Sequence, residues 1–340
     1  MKAVIDDKIP YIKGAIETIV NEVVYLRGSE ITSDDVRDAD ILIVRTRTRC
    51  DRNLLQGTTV RLVVTATIGY DHIDTEYCKE AGIRWANCPG CNAASVRQYV
   101  HNSLLVLGLL HPGVTIGVVG VGHVGELVAA DCRAAGMEIM LCDPPRRDRG
   151  ETFCGLPFTD LAEIAKKADV ITFHTPLTHT GKYPTFHLAD DEFFESLLRQ
   201  PLIINTSRGA VVDNTALLNA LYKNNVRDAV VDTWENEPDI NTELLNKVVI
   251  GTPHIAGYSA DGKANATKMA LMAVCDFLKC AYTFDIQPPA LPEEMRPTSN
   301  DADERALQLY DPRIDSAKLK ACPSEFEHFR GNYHLRREFW

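Results

Sequence analysis

VTIGVVGVGHVG, residues 114–125, decides the fold. A β-branched apolar run ends on Gly120-Val121-Gly122-His123-Val124-Gly125, and a helix-patterned stretch, VGELVAADCRAAG (124–136), follows it. Strand, G-x-G-x-x-G turn and helix in that order form the dinucleotide fingerprint. The first glycine permits a tight turn, the second lets backbone approach a pyrophosphate, and the third lets the helix pack close on the strand. The helix N-terminus then turns unsatisfied N–H groups toward the phosphates. A second strand-like run, MEIMLC (137–142), leads into Asp143. A carboxylate there accepts bonds from the adenosine ribose hydroxyls and repels a 2′-phosphate, which favours NAD over NADP. Arg146 and Arg147 follow closely and pull against that preference.

Outward from the glycine turn, short apolar runs alternate with helical stretches. KAVID (2–6), EVVYL (22–26), DILIV (40–44), RLVVTAT (61–67) and IRWAN (83–87) read as strands. YIKGAIETIV (11–20) and DHIDTEYCKEAG (71–82) read as helices among them. NAASVRQYVHNSLLVLGLL (92–110) has helical spacing and leads into a second α/β series. Its strands are VTIGVV (114–119), MEIMLC, DVITFH (169–174), PLIIN (201–205), VRDAVVD (226–232) and KVVIG (247–251). The fold expected is α/β, with doubly wound parallel sheets. Residues 259–279 are helical again and are expected to return to the first unit. The domains expected are therefore 1–92 with 257–280, then 93–256, and a C-terminal segment 281–340 whose start is rich in proline.

The 340 residues provide enough core to fold without disulfides. A net charge of −11 disfavours nucleic acid or an anionic membrane as partner. No apolar run reaches the roughly 20 residues that span a bilayer. Ten scattered cysteines and no leader-like start suggest free thiols in a cytoplasmic protein. Cys88 and Cys91 form a single C-x-x-C, only half a zinc site, so loop thiols are the main reading and a redox or metal pair the other. No metal is expected.

Three residues sit just past three successive apolar runs: Arg208 in NTSRGAVVD, Glu237 in DTWENEP and His254 in GTPHIAGY. In an open parallel sheet such loops converge on one crevice. Histidine suits a base that takes a hydroxyl proton as hydride leaves carbon. A carboxylate orients the imidazole, and an arginine offers paired donors to a substrate carboxylate. Arg208, Glu237 and His254 therefore read as a hydride-transfer site for an anionic substrate. Thr175 either lies along the cofactor or caps a turn. Asp232 either accepts from the nicotinamide carboxamide or caps its loop.

GVGHVG (120–125), INTSRGAVVD (204–213), WENEP (234–238) and PHIAG (253–257) together resemble the motifs of the D-isomer-specific 2-hydroxyacid dehydrogenases. The resemblance implies a flavodoxin-like substrate domain and a Rossmann NAD domain, with the cofactor in their cleft and the 92–110 helix as hinge. It implies Arg208 as carboxylate ligand, Glu237 as histidine partner and His254 as acid/base. Cofactor contacts would come from Gly120, Gly122, His123, Val124, Gly125, Asp143, Thr175, Asp232 and Gly257. LCDPPRRDRG (141–150), HIAGYSADGKA (254–264), YDPRID (310–315) and NYHLRREF (332–339) resemble members that oxidise a small phosphorylated 2-hydroxy acid in pyridoxal phosphate biosynthesis. In those members the C-terminal part dimerises, so a homodimer is expected. The resemblance also suggests substrate contacts at Thr46, Thr67 and Tyr258. Arg45 and Arg47 flank Thr46, and either meet a phosphate or form a solvated edge. Thr67 opens a turn whose N–H groups suit a carboxylate. Tyr258 either reaches substrate or packs. The alternatives are another D-2-hydroxyacid dehydrogenase (acting on phosphoglycerate, glycerate or hydroxypyruvate) and a non-catalytic NAD-sensing scaffold.

Overall fold

A computed structural model describes residues 1–334 and 336–338. The chain divides into two compact units, Met1–Asn92 with Ser259–Ala290, and Ala93–Tyr258 with the described residues from Leu291 onward. The segment 281–340, expected as one piece, is thus split between them.

The first unit carries β1 (Lys2–Asp6), β2 (Glu22–Leu26), β3 (Ile41–Val44), β4 (Leu62–Thr65) and β5 (Arg84–Ala86). They form an all-parallel sheet in the order β2-β1-β3-β4-β5, the flavodoxin-like winding. β3 and β4 are buried at every position and apolar at all but Thr65, as a sheet covered on both faces requires. Alternate side chains serve opposite faces. Ile5, Ile41, Ile43 and Val64 pack with Ala270, Leu271 and Val274, while Val4, Leu42, Val44 and Val63 pack with Leu54, Leu55 and Tyr77. The helix Ala260–Leu278 that returns to this sheet starts where Ser259 Oγ accepts from the Gly262 N–H at 2.8 Å, and ends at left-handed Lys279.

The helix expected over 11–20 is reduced to one 3-10 turn, Ile16–Thr18. Tyr11 and Gly14 take φ of 61° and 87°, conformations that break a right-handed helix.

The second unit carries β6 (Thr115–Val119), β7 (Glu138–Cys142), a hairpin of β8 (Thr152–Phe153) and β9 (Leu156–Pro157), β10 (Val170–Phe173), β11 (Leu202–Asn205), β12 (Asp228–Val231) and β13 (Ile250–Gly251). Its six-stranded parallel sheet runs β13-β12-β11-β10-β6-β7. This is the Rossmann winding, with the third strand reduced to one parallel bridge, Leu141 to Phe158. The direction of winding reverses between β6 and β10, the switch point where such sheets bind ligands. The helix Ala93–Val106 stops short of the expected 110, because Gly108 turns left-handed and the Leu109 N–H bonds back to Leu104.

Residues of the tail belong to this unit's core. Leu319 and Phe326 are buried with Val231, Trp234 and Leu244, and Tyr310 with Tyr99 and Ile255. No helix among the described residues is long and apolar enough to cross a membrane.

Candidate active site

The glycine turn leaves β6 at the switch point. Gly120 has φ of 85°, and a β-carbon there would lie 2.8 Å from the His174 carbonyl carbon and the Thr175 methyl. A β-carbon on Gly125 would collide with the Gly120 carbonyl oxygen. By contrast nothing lies within 4 Å of a β-carbon at Gly122, so its glycine leaves open space above the turn. Gly122 caps the helix His123–Ala134 with no side-chain bond, leaving its first N–H groups for an anion. His123 is exposed at that first position, with Val124 half-buried behind it. The Thr175 hydroxyl beside the turn is buried and has no partner among the described residues. An open cradle, free helix donors and an orphaned hydroxyl fit a dinucleotide.

Asp143 stands at the end of β7, as expected. Its Oδ2 accepts from the Val121 N–H at 2.9 Å and its Oδ1 from the Arg146 N–H at 3.1 Å. Each oxygen keeps a lone pair for a ribose hydroxyl. The two arginines that pulled toward NADP are already committed. Arg146 is bound to Glu126 at 2.6 Å and Glu151 at 2.7 Å, and Arg147 pairs with Asp160.

The three candidate catalytic side chains follow the ends of β11, β12 and β13. Asn205 closes β11 and shapes the Arg208 turn: its amide donates to the Arg208 carbonyl at 3.0 Å, and its Oδ1 accepts from Ser207 N–H and Oγ. Gly209 must be glycine, since a β-carbon would strike the Trp234 carbonyl. Arg208, Glu237 and His254 line one pocket of about 360 Å³ with Leu177, Phe186 and Trp234. His254 Nδ1 lies 2.8 Å from Glu237 Oε2 and 3.1 Å from Oε1, and Oε1 also accepts from the Trp234 N–H at 2.9 Å. Burial alone would raise the Glu237 carboxyl. The His254 hydrogen bond and charge, the Trp234 N–H and Arg330 together bring it below its ordinary value. With Nδ1 facing the carboxylate, Nε2 is the nitrogen left for a substrate proton.

His254 takes φ of 57°, a conformation that costs about 1–3 kcal/mol outside glycine. Its N–H bonds the carbonyls of Asp232 and Thr252 at 2.8 and 3.0 Å. The Asp232 carboxylate accepts from the N–H groups of Ile255 (2.8 Å) and Ala256 (3.0 Å) and from the Thr252 hydroxyl (2.6 Å). Of its two sequence readings, the loop cap accounts for all three of those bonds. Gly257 follows, half-buried.

The tail packs behind the His254 loop, and no motif in the chain announces it. Arg336, only 4 % exposed, donates to the carbonyls of Ile255 (3.1 Å), Ala256 (2.6 Å) and Tyr258 (3.0 Å), and to Gln98 Oε1 (2.9 Å). Its guanidinium lies 3.9 Å from the centre of the Tyr310 ring. The loop behind His254 is therefore gripped by Asp232 through its N–H groups and by Arg336 through its carbonyls. Arg330 lies 3.5 Å from Glu237 and also bonds the Tyr258 side chain. The Tyr258 ring meets Tyr333 edge-on, the packing alternative of its two readings. His187, also unforeseen, sits between Glu235 at 2.8 Å and Asp213 at 3.3 Å and holds the wall of the pocket.

In the first unit, Arg45 is half-buried and binds Asp6 through Nε at 2.9 Å and Nη2 at 3.1 Å. Asp6 is fully buried, and a buried carboxylate needs a counter-charge. Thr46 and Arg47 are exposed. Thr67 opens the expected turn, its hydroxyl donating to the Gly69 carbonyl at 2.9 Å. Cys88 and Cys91 are buried thiols outside any disulfide, and Cys88 faces the carbonyls of Thr65 and Ala266 at 3.4 and 3.2 Å. Burial pushes the Cys88 thiol far up, which makes it inert.

Residues 93–256 match the D-isomer specific 2-hydroxyacid dehydrogenase NAD binding domain. Over 342 aligned residues the chain is 53% identical to the erythronate-4-phosphate dehydrogenase of Bacteroides thetaiotaomicron, covering 99% of this chain and 97% of that protein. The chain belongs to the D-isomer-specific 2-hydroxyacid dehydrogenase family. It is likewise 54% identical to the erythronate-4-phosphate dehydrogenase of Bacteroides fragilis, with the same coverage. The D-lactate dehydrogenase of Aquifex aeolicus, solved with NAD and lactic acid, shares the family fold at a TM-score of 0.67 and 24% identity, over 82% of this chain and 96% of that one. The protein is an NAD-dependent oxidoreductase of this family.

Proposed function

We propose that the protein oxidises 4-phospho-D-erythronate at C2 to the 2-oxo acid, (R)-3-hydroxy-2-oxo-4-phosphooxybutanoate, with NAD as acceptor. The substrate assignment is carried by the full-length 53% identity to a relative of that name. NAD supplies the ring that accepts the C2 hydride. The chain's own residues do the rest. Arg208 holds the substrate carboxylate with paired donors. His254 takes the C2 hydroxyl proton on Nε2 as the carbonyl forms, and Glu237 stabilises the resulting imidazolium. Gly120, Gly122, His123, Val124, Gly125, Asp143, Thr175 and Gly257 bind the cofactor. Thr67 serves the carboxylate end of the substrate, and Thr46 and Arg47 its phosphate. The reaction fits pyridoxal phosphate biosynthesis in the cytoplasm. Two copies of the chain act as a homodimer, which light scattering checks.

Following NADH formation with 4-phospho-D-erythronate, 3-phosphoglycerate, D-glycerate and D-lactate tests the assignment. The phosphorylated four-carbon acid is expected to give the highest kcat/KM, by about tenfold or more. A preference for any other acid overturns the substrate, and no reaction with any of them favours an NAD-sensing scaffold.

A further inference from the structure

The Glu237 carboxylate has a third holder that the chemistry above does not use. Arg330 Nη1 lies 3.5 Å from Oε2, the oxygen that faces His254 Nδ1 at 2.8 Å. Both side chains are largely covered, at 22% and 16% exposure, so solvent screens the pair less than a surface ion pair. Packing fixes where the guanidinium stands. Arg330 sits on the short helix Phe326–Gly331, and Phe326 is buried in the same core as Trp234. Its other contacts are Glu327 at 3.6 Å and the Tyr258 side chain.

Arg330 is well placed to bias a proton. Among the described residues, Glu237 is the carboxylate in hydrogen-bond contact with the His254 ring. A guanidinium on the same carboxylate competes for that negative charge and opposes a second positive charge nearby. The other charged groups around the pair are Arg208 and Glu235, which line the pocket, and Asp232, beneath the His254 loop.

We propose that Arg330 is a positioning residue of the acid–base pair: its guanidinium holds the Glu237 carboxylate in place, and its charge favours the neutral, proton-accepting form of His254. This rests on the reading of His254 as the base. Arg330 does not touch the reacting atoms; it acts through Glu237.

The test compares wild type, Arg330→Gln and Arg330→Lys by the pH dependence of kcat/KM and by 15N NMR titration of the His254 ring. In Arg330→Gln the acid limb and the His254 midpoint are expected to move to higher pH by about half a unit to one unit. KM should change little, and the lysine variant should return both curves toward wild type. A limb and midpoint that stay in place overturn the proposal, whatever happens to the plateau. The NMR arm needs no turnover, so an inactive wild type defeats the substrate assignment while the titration still decides the role of Arg330. Should Arg330→Gln fail to fold, Glu327→Gln carries the test. With one competing carboxylate gone, the midpoint should move down, and a midpoint that does not move overturns the proposal.

Discussion

Glu237 is where burial and charge oppose each other most directly. Its surroundings would protonate it, yet His254, the Trp234 N–H and Arg330 hold it below the ordinary carboxylate value. A carboxyl depressed in the folded state stabilises the protein above its unfolded pKa and loses that contribution as pH falls through the folded value. Wild type should therefore melt above Glu237→Gln near neutral pH, and the gap should close below about pH 4. Thermal melts across pH check this, and a gap that widens in acid contradicts it. Arg208, Glu237 and His254 were legible in the sequence because each directly follows an apolar run that becomes a strand. The ion pair of Arg45 was not legible, because its partner Asp6 lies 39 positions earlier. A counter-ion made by sheet topology leaves no local signature.

The glycine turn was readable for a different reason. Its steric demands are local: Gly120 answers to the adjacent strand end and Gly125 to the turn itself, Gly122 leaves the space above the turn open, and the spacing records that. The loop after His254 is the opposite case. Its carbonyls are held by Arg336, 80 positions from Ala256, and no spacing in the chain announces it. A buried guanidinium bonded to three carbonyls of this loop and to the Ser95 carbonyl leaves each acceptor stranded when removed. Arg336→Ala should lower the melting temperature by roughly 5 °C or more. Turnover should fall with it, because left-handed His254 depends on that loop. An unchanged melt would show that the grip is not needed. The overextended 11–20 helix makes the same point in reverse. Its apolar spacing was helical, but one left-handed tyrosine and one left-handed glycine decided the backbone.

At the scale of the molecule, the chain crosses between the two units three times: into the second after Asn92, back to the first after Tyr258, and into the second again after Ala290. The first return comes directly after the catalytic loop, so the helix that covers the first sheet is reached only through Tyr258. The second return brings the tail to the core beside the catalytic loops. The winding of both sheets was legible because alternating strands and helices with largely apolar strands admit few other arrangements. The place of the tail was not legible: short amphipathic helices carry no signal of what they pack against.

The glycine turn and the three side chains proposed for catalysis, Arg208, Glu237 and His254, belong to one unit, yet they answer to different elements. Cofactor binding and proton transfer should therefore separate under mutation, and one comparison puts this to the test most directly: NAD affinity by titration and kcat by NADH formation, in wild type and His254→Ala. The dissociation constant should stay within about threefold while kcat falls by roughly 10²–10⁴. Turnover retained in the variant would remove His254 as the base and contradict the account at its centre.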